Sequence, residues 1–519
     1  MSEHPTRIVT AATIRTMSES APRVQAMALL GDRIVATGPL AELRERFPQA
    51  EPVDYGPATV VPGFNDAHQH LIDLSATLDQ LDAGEERFTD ARALLDGLAE
   101  RCADTPPGRW VRAYRYDDTR GGGPGITRAD LDRVSTRHPI LVTQVSDHWG
   151  VLNSPALHLA GHPAEGDGIV AELELFRLAW SDEPVVELPS TAERVRGVEV
   201  LSRKYHAAGI TSIGDALVSP EQLGLYAQVR RQGRLSLRVT ALIDATYTDG
   251  FLDNGIGTGF GDEWLRVGGF KAFVDGAVAG RGCLLEEPFE GTEDHGIQVT
   301  PPEELAALFA RVHRAGSVLA VHANGDRAIR QLLDVIETNR DGAPGPAQPH
   351  RIEHCSVLTE QALERISRAG LAAVPFGCFV AAHGPKLLDW YGAERLQRMF
   401  AHRWLLDEGI PVGGASDYSV SPYEPLLALQ SMVTRESADG TVLGPAQRIS
   451  AAEALWVYTV GSAMVAGEQR YKGRLAPGYL ADYVVLGADP LTADPRELST
   501  IPVRHTVIGG ETVWSAPHE

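Results

Sequence analysis

The sequence predicts an α/β protein in which a barrel of parallel strands carries the functional site and a smaller β-rich domain accompanies it. Eight short apolar runs in the middle of the chain each carry a polar or charged residue at the C-terminal end and precede a helix-compatible stretch. Near-continuous apolar strands that alternate with helices are typical of a parallel sheet buried on both faces. Eight of them predict a closed (β/α)8 TIM barrel, whose functional side chains gather at the C-terminal ends of the strands. The runs span Thr59–Gly63, Gly209–Asp215, Arg238–Asp244, Val267–Asp275, Ser317–Ala323, His350–Cys355, Ala372–Gly377 and Pro411–Asp417.

Both ends of the chain contain short alternating strands broken by turn residues. Near the N-terminus these strands surround a helical segment near Leu40–Phe47, and near the C-terminus a strand at Gly478–Leu486 precedes a hairpin around Gly509 and Gly510. Because chain ends often lie close together, we predict one small β-sandwich built from residues 1–60 and 462–519. The barrel would then take residues 61–461, with an insertion at about 72–200 over its mouth, since that stretch is too long for one βα connection.

The composition excludes several classes of protein. Of 519 residues, 43% are hydrophobic, and the net charge of −22 would repel phosphate backbones and anionic lipid. We therefore expect a partner that is neither nucleic acid nor membrane, and we find no run of about 18 apolar residues that could cross a bilayer. The 4 cysteines lack CxxC spacing and the N-terminus lacks an apolar secretory region, which predicts a reducing, cytoplasmic location. Whether the chain forms a homodimer is left open by its composition.

Two histidines follow the first apolar run, in the sequence PGFNDAHQH. In an extended chain His68 and His70, at i and i+2, point to the same side and can reach one metal ion. Ordinary surface or core histidines also occur at this spacing. Pro62 and Gly63 fix the turn just before the pair, and this context favours the metal interpretation.

Two further histidines, His322 and His354, each end an apolar strand and lie 32 residues apart. That spacing is about one βα unit, so both side chains should project from adjacent strands into one cavity. Neutral imidazole nitrogens are good ligands for zinc-like ions. The alternative is a pair of hydrogen-bonded core histidines.

The last apolar run supplies Asp417, in the sequence GGASDYSV. A carboxylate at this strand end can bind a metal and can also accept a proton from water, the general-base role that such a site needs. Alternatively, Ser416 and Asp417 cap the helix that follows.

Lys271 lies inside the apolar run VGGFKAFVDG. A buried, unpaired ammonium group is costly, so this lysine is expected to be deprotonated, paired or modified. Carboxylation by CO2 would convert it into an anionic ligand able to bridge two metal ions. An ion pair with Asp275 or another neighbour is the competing interpretation.

The motifs follow one another in a fixed order: PGFNDAHQH, FKAFVDGAVAGRG, HANGDRA, RIEHC, ASDYSVSP and GRLAPGYLADYVVL. This ordered set spans nearly the whole chain and resembles the amidohydrolase superfamily, and within it the YtcJ-like branch (amidohydrolase family 3) that includes N-substituted formamide deformylases. The resemblance implies that Lys271 is a carboxylated bridging ligand and Asp417 both a ligand and the proton acceptor. The remaining metal ligands that it implies are His68, His70, His322 and His354.

The resemblance also implies two residues that contact substrate, Arg281 after the lysine strand and His148 in the inserted segment. Relatives often carry Asp-Gly-His where this chain has Ser146-Asp147-His148, and Gln-Pro where it has Pro375-Phe376-Gly377-Cys378. Both departures border the expected substrate pocket. They leave the substrate open and the hydrolytic machinery intact.

Three more side chains are expected close to the substrate. Phe376 could line an apolar pocket, although aromatic residues in such stretches more often pack in the core. Asp326 could orient a ligand or fix the loop after His322. His322 itself, or His148, could help the metal polarise a substrate carbonyl, which would give it a catalytic role.

Together these residues predict a metal-dependent hydrolase that acts on a small molecule at a carbon–nitrogen bond other than a peptide bond, such as an amide or a formamide. The expected cofactor is a divalent metal, with one or two ions per chain, and zinc matches imidazole and carboxylate ligands best. The alternatives are a deaminase, a hydrolase of cyclic amides or lactams, and a catalytically silent binding protein that keeps the barrel.

Overall fold

The structure of the protein is a computed structural model that describes residues 6–84, 88, 90–118, 125–179, 184–340 and 342–517. The chain forms two compact units. The first comprises Met1–His70, Glu199–Asp275 and Leu284–Glu519, and the second comprises Leu71–Val198 and Gly276–Cys283. Of the predicted sandwich domain, residues 1–5 and 518–519 lie outside the described residues.

The described residues contain 20 strands in three sheets. In chain order they are β1 (Thr6–Arg15), β2 (Arg23–Leu30), β3 (Arg33–Gly38), β4 (Glu51–Asp54), β5 (Thr59–Pro62), β6 (Phe64–Gln69), β7 (Leu81–Asp82), β8 (Val111–Tyr116), β9 (Ile140–Gln144), β10 (Trp149–Leu152), β11 (Ile169–Ala171), β12 (Ile210–Val218), β13 (Arg238–Asp244), β14 (Leu265–Phe273), β15 (Leu319–Ala323), β16 (Arg351–His354), β17 (Ala372–Pro375), β18 (Tyr483–Leu486), β19 (Val503–Ile508) and β20 (Glu511–Ser515).

The same residues contain 17 α-helices, of which the first covers the helical segment predicted near Leu40–Phe47. They are α1 (Leu40–Arg46), α2 (Leu71–Leu74), α3 (Ala91–Asp104), α4 (Arg128–Val134), α5 (Ser154–Leu159), α6 (Leu173–Ala179), α7 (Thr191–Ala207), α8 (Pro220–Arg231), α9 (Thr248–Leu252), α10 (Pro302–Arg314), α11 (Asp326–Asn339), α12 (Glu360–Arg368), α13 (Phe379–Leu396), α14 (His402–Asp407), α15 (Pro425–Thr434), α16 (Ala451–Trp456) and α17 (Ser462–Val465). Within the described ranges, every helix is too short or too polar to span a lipid bilayer.

The predicted parallel barrel is confirmed. Its strand order is β6-β12-β13-β14-β15-β16-β17, and each neighbouring pair is parallel. The eighth segment, Pro411–Asp417, bonds to both open edges: Ala373 N–H of β17 donates to Pro411 O at 3.0 Å, and Ala67 N–H of β6 donates to Gly414 O at 2.8 Å. These bonds complete the circle that eight apolar runs predict.

The position predicted for the first barrel strand is wrong. The run Thr59–Gly63 forms β5, which pairs with β1 and β18 in another sheet, and the first barrel strand is β6. Apolarity favoured the wrong segment, because β6 carries polar side chains that are nevertheless buried, namely Asn65, Asp66, His68 and Gln69. Polar side chains are tolerated inside a barrel where hydrogen bonds or ligands satisfy them.

The eight-stranded sheet contains strands from both ends of the chain. Its order is β20-β19-β18-β5-β1-β2-β3, with β4 paired to β1. Strands β19 and β20 form the predicted antiparallel hairpin, and Gly509 and Gly510 make its turn with φ angles of 58° and 77° that favour glycine. Strand β18 pairs with β5 and so joins the two ends of the chain. The sandwich arrangement and the boundaries at residues 60 and 462 stay predictions.

A buried ion pair connects this sheet with the barrel. Arg238, at the start of β13, donates to Asp482 from Nε at 2.6 Å and from Nη2 at 3.0 Å. Asp482 Oδ1 also accepts the backbone N–H of Gly509 at 2.7 Å. Both charges are thus satisfied by each other and by backbone groups, since Arg238 Nη1 also donates to the carbonyl oxygen of Glu263 at 3.3 Å.

The second unit has a sheet of its own, in the order β11-β10-β9-β8-β7. Helix α3 turns Leu94, Leu98 and Cys102, at four-residue intervals, into the core beside this sheet. Asp90 caps the helix by accepting the N–H of Ala93 at 2.8 Å. This unit therefore has its own hydrophobic core, and the predicted position of the insertion over the barrel mouth stays a prediction.

Candidate metal centre

The candidate centre begins at the C-terminal end of β6, where His68 and His70 follow each other at the spacing of a strand. Their ring centroids lie 5.5 Å apart. His68 is buried, and the His70 side chain is 25% exposed, so one face of the pair remains accessible. The structure therefore brings together the two histidines that the PGFNDAHQH motif singles out.

Hydrogen bonds fix which nitrogen of each ring faces the centre. His68 Nδ1–H donates to the Glu353 carboxylate, and His70 Nδ1–H donates to the carbonyl oxygen of Ala216 at 3.2 Å. With the proton on Nδ1, Nε2 of each neutral ring presents a lone pair, the form in which histidine binds metals. Asp417 Oδ1 lies 3.1 Å from His70 Nε2 and 3.7 Å from His68 Nε2.

These three side chains fit a divalent cation. One ligand atom from each of His68, His70 and Asp417 lies within 4.8 Å of the other two. Asp417 Oδ1 is buried and accepts no hydrogen bond from the described residues, so an anionic oxygen faces two nitrogen lone pairs. Such a set of acceptors is unfavourable alone and favourable around a cation.

Strands β15 and β16 bring His322 and His354 to the same group. The centroid of the His354 ring lies 4.8 Å from that of the His68 ring and 4.6 Å from that of the His322 ring. His354 Nδ1 is buried without a hydrogen-bond partner in the described part of the chain. Burial lowers the pKa of His354 well below its ordinary value, and the neighbouring His322 and His68 lower it further. His354 is therefore neutral and able to bind a metal.

Lys271 is buried on β14, beside this group. Its Nζ lies 3.8 Å from the centroid of the Phe273 ring, which itself packs against His322. Burial lowers the pKa of Lys271 to about 8, although the charges of Glu353 and Asp417 act to raise it. A neutral amine, the nucleophilic form of lysine, is thus accessible near neutral pH.

Asp275, the alternative partner of Lys271, makes contacts elsewhere. Its carboxylate accepts the backbone N–H groups of Leu284, Asn324 and Gly325 at 2.8 to 2.9 Å. These bonds fix the loop that follows His322. An ion pair between Lys271 and Asp275 gains no support from this arrangement.

Two of the predicted ligands have an unusual backbone conformation. His354 has a φ angle of 71° and Asp417 one of 53°, in the left-handed region that residues other than glycine rarely adopt. Such a conformation costs about 1–3 kcal/mol and persists where the surroundings fix it, often at functional sites. The surrounding structure therefore holds the backbone at both positions.

Glu353 and Arg351 are residues of the centre that sequence reasoning missed. Arg351 Nε donates to Glu353 Oε1 at 2.7 Å, and its Nη2 donates to Oε2 at 2.9 Å. Burial would raise the pKa of Glu353, but Arg351 and His68 lower it to about 2. The available signal was a pair of charged residues inside the apolar strand RIEHC, since buried charges are costly unless they are paired.

Asp66 joins the two segments that carry the candidate ligands His68 and Asp417, and sequence reasoning missed it too. Its carboxylate accepts the Ser416 hydroxyl and the backbone N–H groups of Ser416 and His68, the last two at 3.1 and 3.3 Å. Burial raises the pKa of Asp66 to about 7. The helix-cap interpretation of Ser416 and Asp417 is wrong, because the next helix, α15, begins only at Pro425.

Phe376 and Asp326 belong to the same unit as the predicted metal ligands. Phe376 stacks on His354 with ring centroids 4.4 Å apart and an interplanar angle of 12°. Asp326 begins α11, and its two oxygens accept the N–H of Glu286 at 2.9 Å and the Arg398 guanidinium at 3.0 Å. Contact of either side chain with substrate stays a prediction.

His148 and Arg281 belong to the second unit. His148 Nδ1 contacts Glu172 Oε2 at 2.9 Å, and its ring packs against Phe176. Arg281 follows a short 3₁₀ helix, Val278–Gly280, and caps its C-terminal end with a φ angle of 55°. Their contact with substrate also stays a prediction.

Comparison with protein families identifies a match over most of the chain. The model described as the amidohydrolase family matches residues 53–514. A second model, an imidazolonepropionase-like composite domain of bacteria, matches residues 26–50.

Similar proteins and structures agree with that match. The putative amidohydrolase YtcJ of Bacillus subtilis (strain 168) is 29% identical over 96% of this chain and 98% of its own length, and N-substituted formamide deformylase of Arthrobacter pascens is 28% identical over 96% of each. A crystal structure of an uncharacterized metal-dependent hydrolase from Pyrococcus horikoshii OT3 is 26% identical, with a TM-score of 0.77 over 94% of this chain and 99% of that one. The chain therefore belongs to the amidohydrolase family and is YtcJ-like in sequence.

Proposed function

We propose that the protein is a metal-dependent amidohydrolase that cleaves a carbon–nitrogen bond other than a peptide bond, in an amide or formamide-like small molecule. The observation that carries the proposal is the convergence of one ligand atom from each of His68, His70 and Asp417 within 4.8 Å of one another. A cation site beside a group that can move a proton suits hydrolysis. The similarity to N-substituted formamide deformylase, at 28% identity, favours this type of bond.

The metal would be divalent, and we propose zinc, with one or two ions per chain, because imidazole and carboxylate ligands suit that ion. When bound, such a metal lowers the pKa of water from about 15.7 to about 7 and polarises a carbonyl oxygen. The side chains proposed to hold it are His68, His70, Lys271, His322, His354 and Asp417.

Asp417 is the residue proposed to move the proton. Burial would raise its pKa, but interactions with its neighbours, Lys271 among them, outweigh burial and hold the pKa of Asp417 below its ordinary value. The ionised carboxylate can accept a proton from the attacking water and donate it to the leaving amine. His322, which contacts the Asn324 side-chain amide at 2.9 Å, is proposed to help polarise the substrate carbonyl.

The substrate pocket is proposed to include Phe376, whose ring stacks on His354. Asp326 has a donor on each carboxylate oxygen, so its proposed effect on substrate acts through the loop after His322. Contact with the substrate is also proposed for His148 and Arg281.

A panel of substrates tests the reaction. Purified protein loaded with zinc is incubated with N-substituted formamides, N-acyl amino acids, lactams and cyclic ureas, and the released amine and carboxylate are measured. We expect amine release from at least one class of amide, and we expect the fastest release from N-substituted formamides. Ammonia release without a carboxylate product would indicate a deaminase, and inactivity of a fully metallated protein on every class would contradict the proposal.

Lys271 is expected to carry a carboxylate on Nζ and to bridge two metal ions, because a free ammonium group would repel the cations that the histidines bind. A crystal structure of the metal-loaded protein should show density for three extra atoms beyond Nζ, a carbon and two oxygens, with the oxygens within about 2.0–2.2 Å of metal. Lys472 is the internal control: it is also buried but pairs with Glu468 and contacts Ser212 Oγ at 3.1 Å, so it should stay unmodified. Bare lysine density at Lys271 in a fully metallated centre would contradict the prediction.

A further inference from the structure

We propose that the buried pair Arg351–Glu353 is a positioning device for His68. Glu353 keeps the proton of the neutral imidazole on Nδ1, so that Nε2 faces the metal, and Arg351 fixes Glu353 and the strand that carries His68. This inference rests on the proposed function, since it concerns a ligand of the same centre.

The bond between Glu353 and His68 crosses the inside of the barrel. Glu353 lies on β16 and His68 on β6, and these strands are not neighbours, because β16 pairs with β15 and β17 while β6 pairs with β12. Glu353 Oε2 nevertheless accepts the Nδ1–H of His68, and the two side chains are 0% and 1% exposed. The contact is therefore made by side chains that reach across the core.

Arg351 makes a second attachment between the same two strands. Its Nη2 donates to the carbonyl oxygen of Ala67, the residue before His68, at 2.9 Å, in addition to its two bonds to Glu353. The backbone of β6 and the His68 ring are thus both tied to one guanidinium–carboxylate pair. Rotation of the His68 ring would break the bond that Glu353 accepts.

Stability alone is a weak reason for such a pair, because desolvation of two buried charges offsets most of their attraction. The Arg238–Asp482 pair of the same unit shows the contrast. Its carboxylate accepts a backbone N–H from Gly509, whereas Glu353 accepts the ring N–H of a candidate ligand. A carboxylate behind an imidazole fixes its tautomer and orientation and raises the basicity of the nitrogen that faces the metal.

The first test needs neither metal nor activity. In proton NMR spectra of the metal-free protein, an imidazole N–H bound to a buried carboxylate should resonate far downfield of the backbone amides. We expect such a signal in the wild type and its loss in Glu353→Gln and in His68→Gln, whereas Asp482→Asn should retain it. These variants separate it from a signal of the His148–Glu172 pair. A wild-type spectrum without any signal lost in both variants would overturn the proposal.

The second test measures zinc affinity by competition with a chelator. Glu353→Gln should bind zinc about 10–100-fold more weakly, Glu353→Asp should recover part of the loss, and the matched control Asp482→Asn should bind as the wild type does. Wild-type affinity in folded Glu353→Gln would overturn the proposal. If Glu353→Gln does not fold, affinity equal to the wild type in Glu353→Asp, without the downfield signal, overturns it instead. Should the substrate panel show no hydrolysis while both tests behave as expected, the proposed function fails and the positioning role stands.

Discussion

Removal of the divalent metal is expected to reduce turnover below detection. Asp417, whose pKa lies below its ordinary value, is far too weak a base to take a proton from free water, whose pKa is about 15.7. The histidines proposed as ligands supply no substitute for the metal, which is the group that would lower the pKa of water. The measurement is the rate of amine release after dialysis against a chelator and again after addition of zinc, manganese or cobalt ions, with metal content determined by elemental analysis at each stage.

The control for this experiment is the fold of the metal-free protein. Its circular dichroism should match that of the loaded protein, although its unfolding temperature should fall, since a bound metal stabilises the folded state by mass action. Restored metal should restore both turnover and unfolding temperature. Full activity in protein that holds far less than one equivalent of any divalent metal would contradict both the metal requirement and the assignment of the ligands.

Asp417→Asn is expected to lower kcat by about 10²–10⁴-fold, the usual contribution of a general acid–base group. The amide keeps the shape and one ligand oxygen of the carboxylate but cannot accept a proton at neutral pH. Asparagine also tolerates the left-handed backbone at this position, where φ is 53°, so the loop should keep its conformation. The measurement is kcat of the purified variant together with its zinc content, because a loss of metal would have to be separated from a loss of proton transfer.

Asp482→Asn is the matched control, since it makes the same chemical change at another buried aspartate of the same unit. It weakens the pair with Arg238 and should lower the unfolding temperature while leaving kcat near that of the wild type. Near-normal kcat in metal-loaded Asp417→Asn would show that another group moves the proton.

The sequence by itself determined the barrel and the positions of most candidate ligands. Apolar strands that alternate with helices form a parallel sheet that is buried on both faces. When such a sheet closes into a barrel, the C-terminal ends of all its strands lie at the same rim. Because His322, His354 and Asp417 each lie at the C-terminal end of a predicted strand, the sequence predicts that their side chains meet at that rim. The assignment of Thr59–Gly63 to the barrel was wrong, because an apolar run alone does not show whether a strand belongs to the barrel or to the neighbouring sheet.

Only the tertiary structure decided which groups hold those ligands in place. Glu353 meets His68 from 285 residues away, and Ser416 meets Asp66 from 350 residues away. Periodicity determines on which face of a strand a side chain lies, but the identity of its partner depends on how the barrel closes. A charged residue inside an apolar strand signals that some partner exists, because a buried charge is costly alone. Which partner it finds is set by the packing of strands that are distant in the chain.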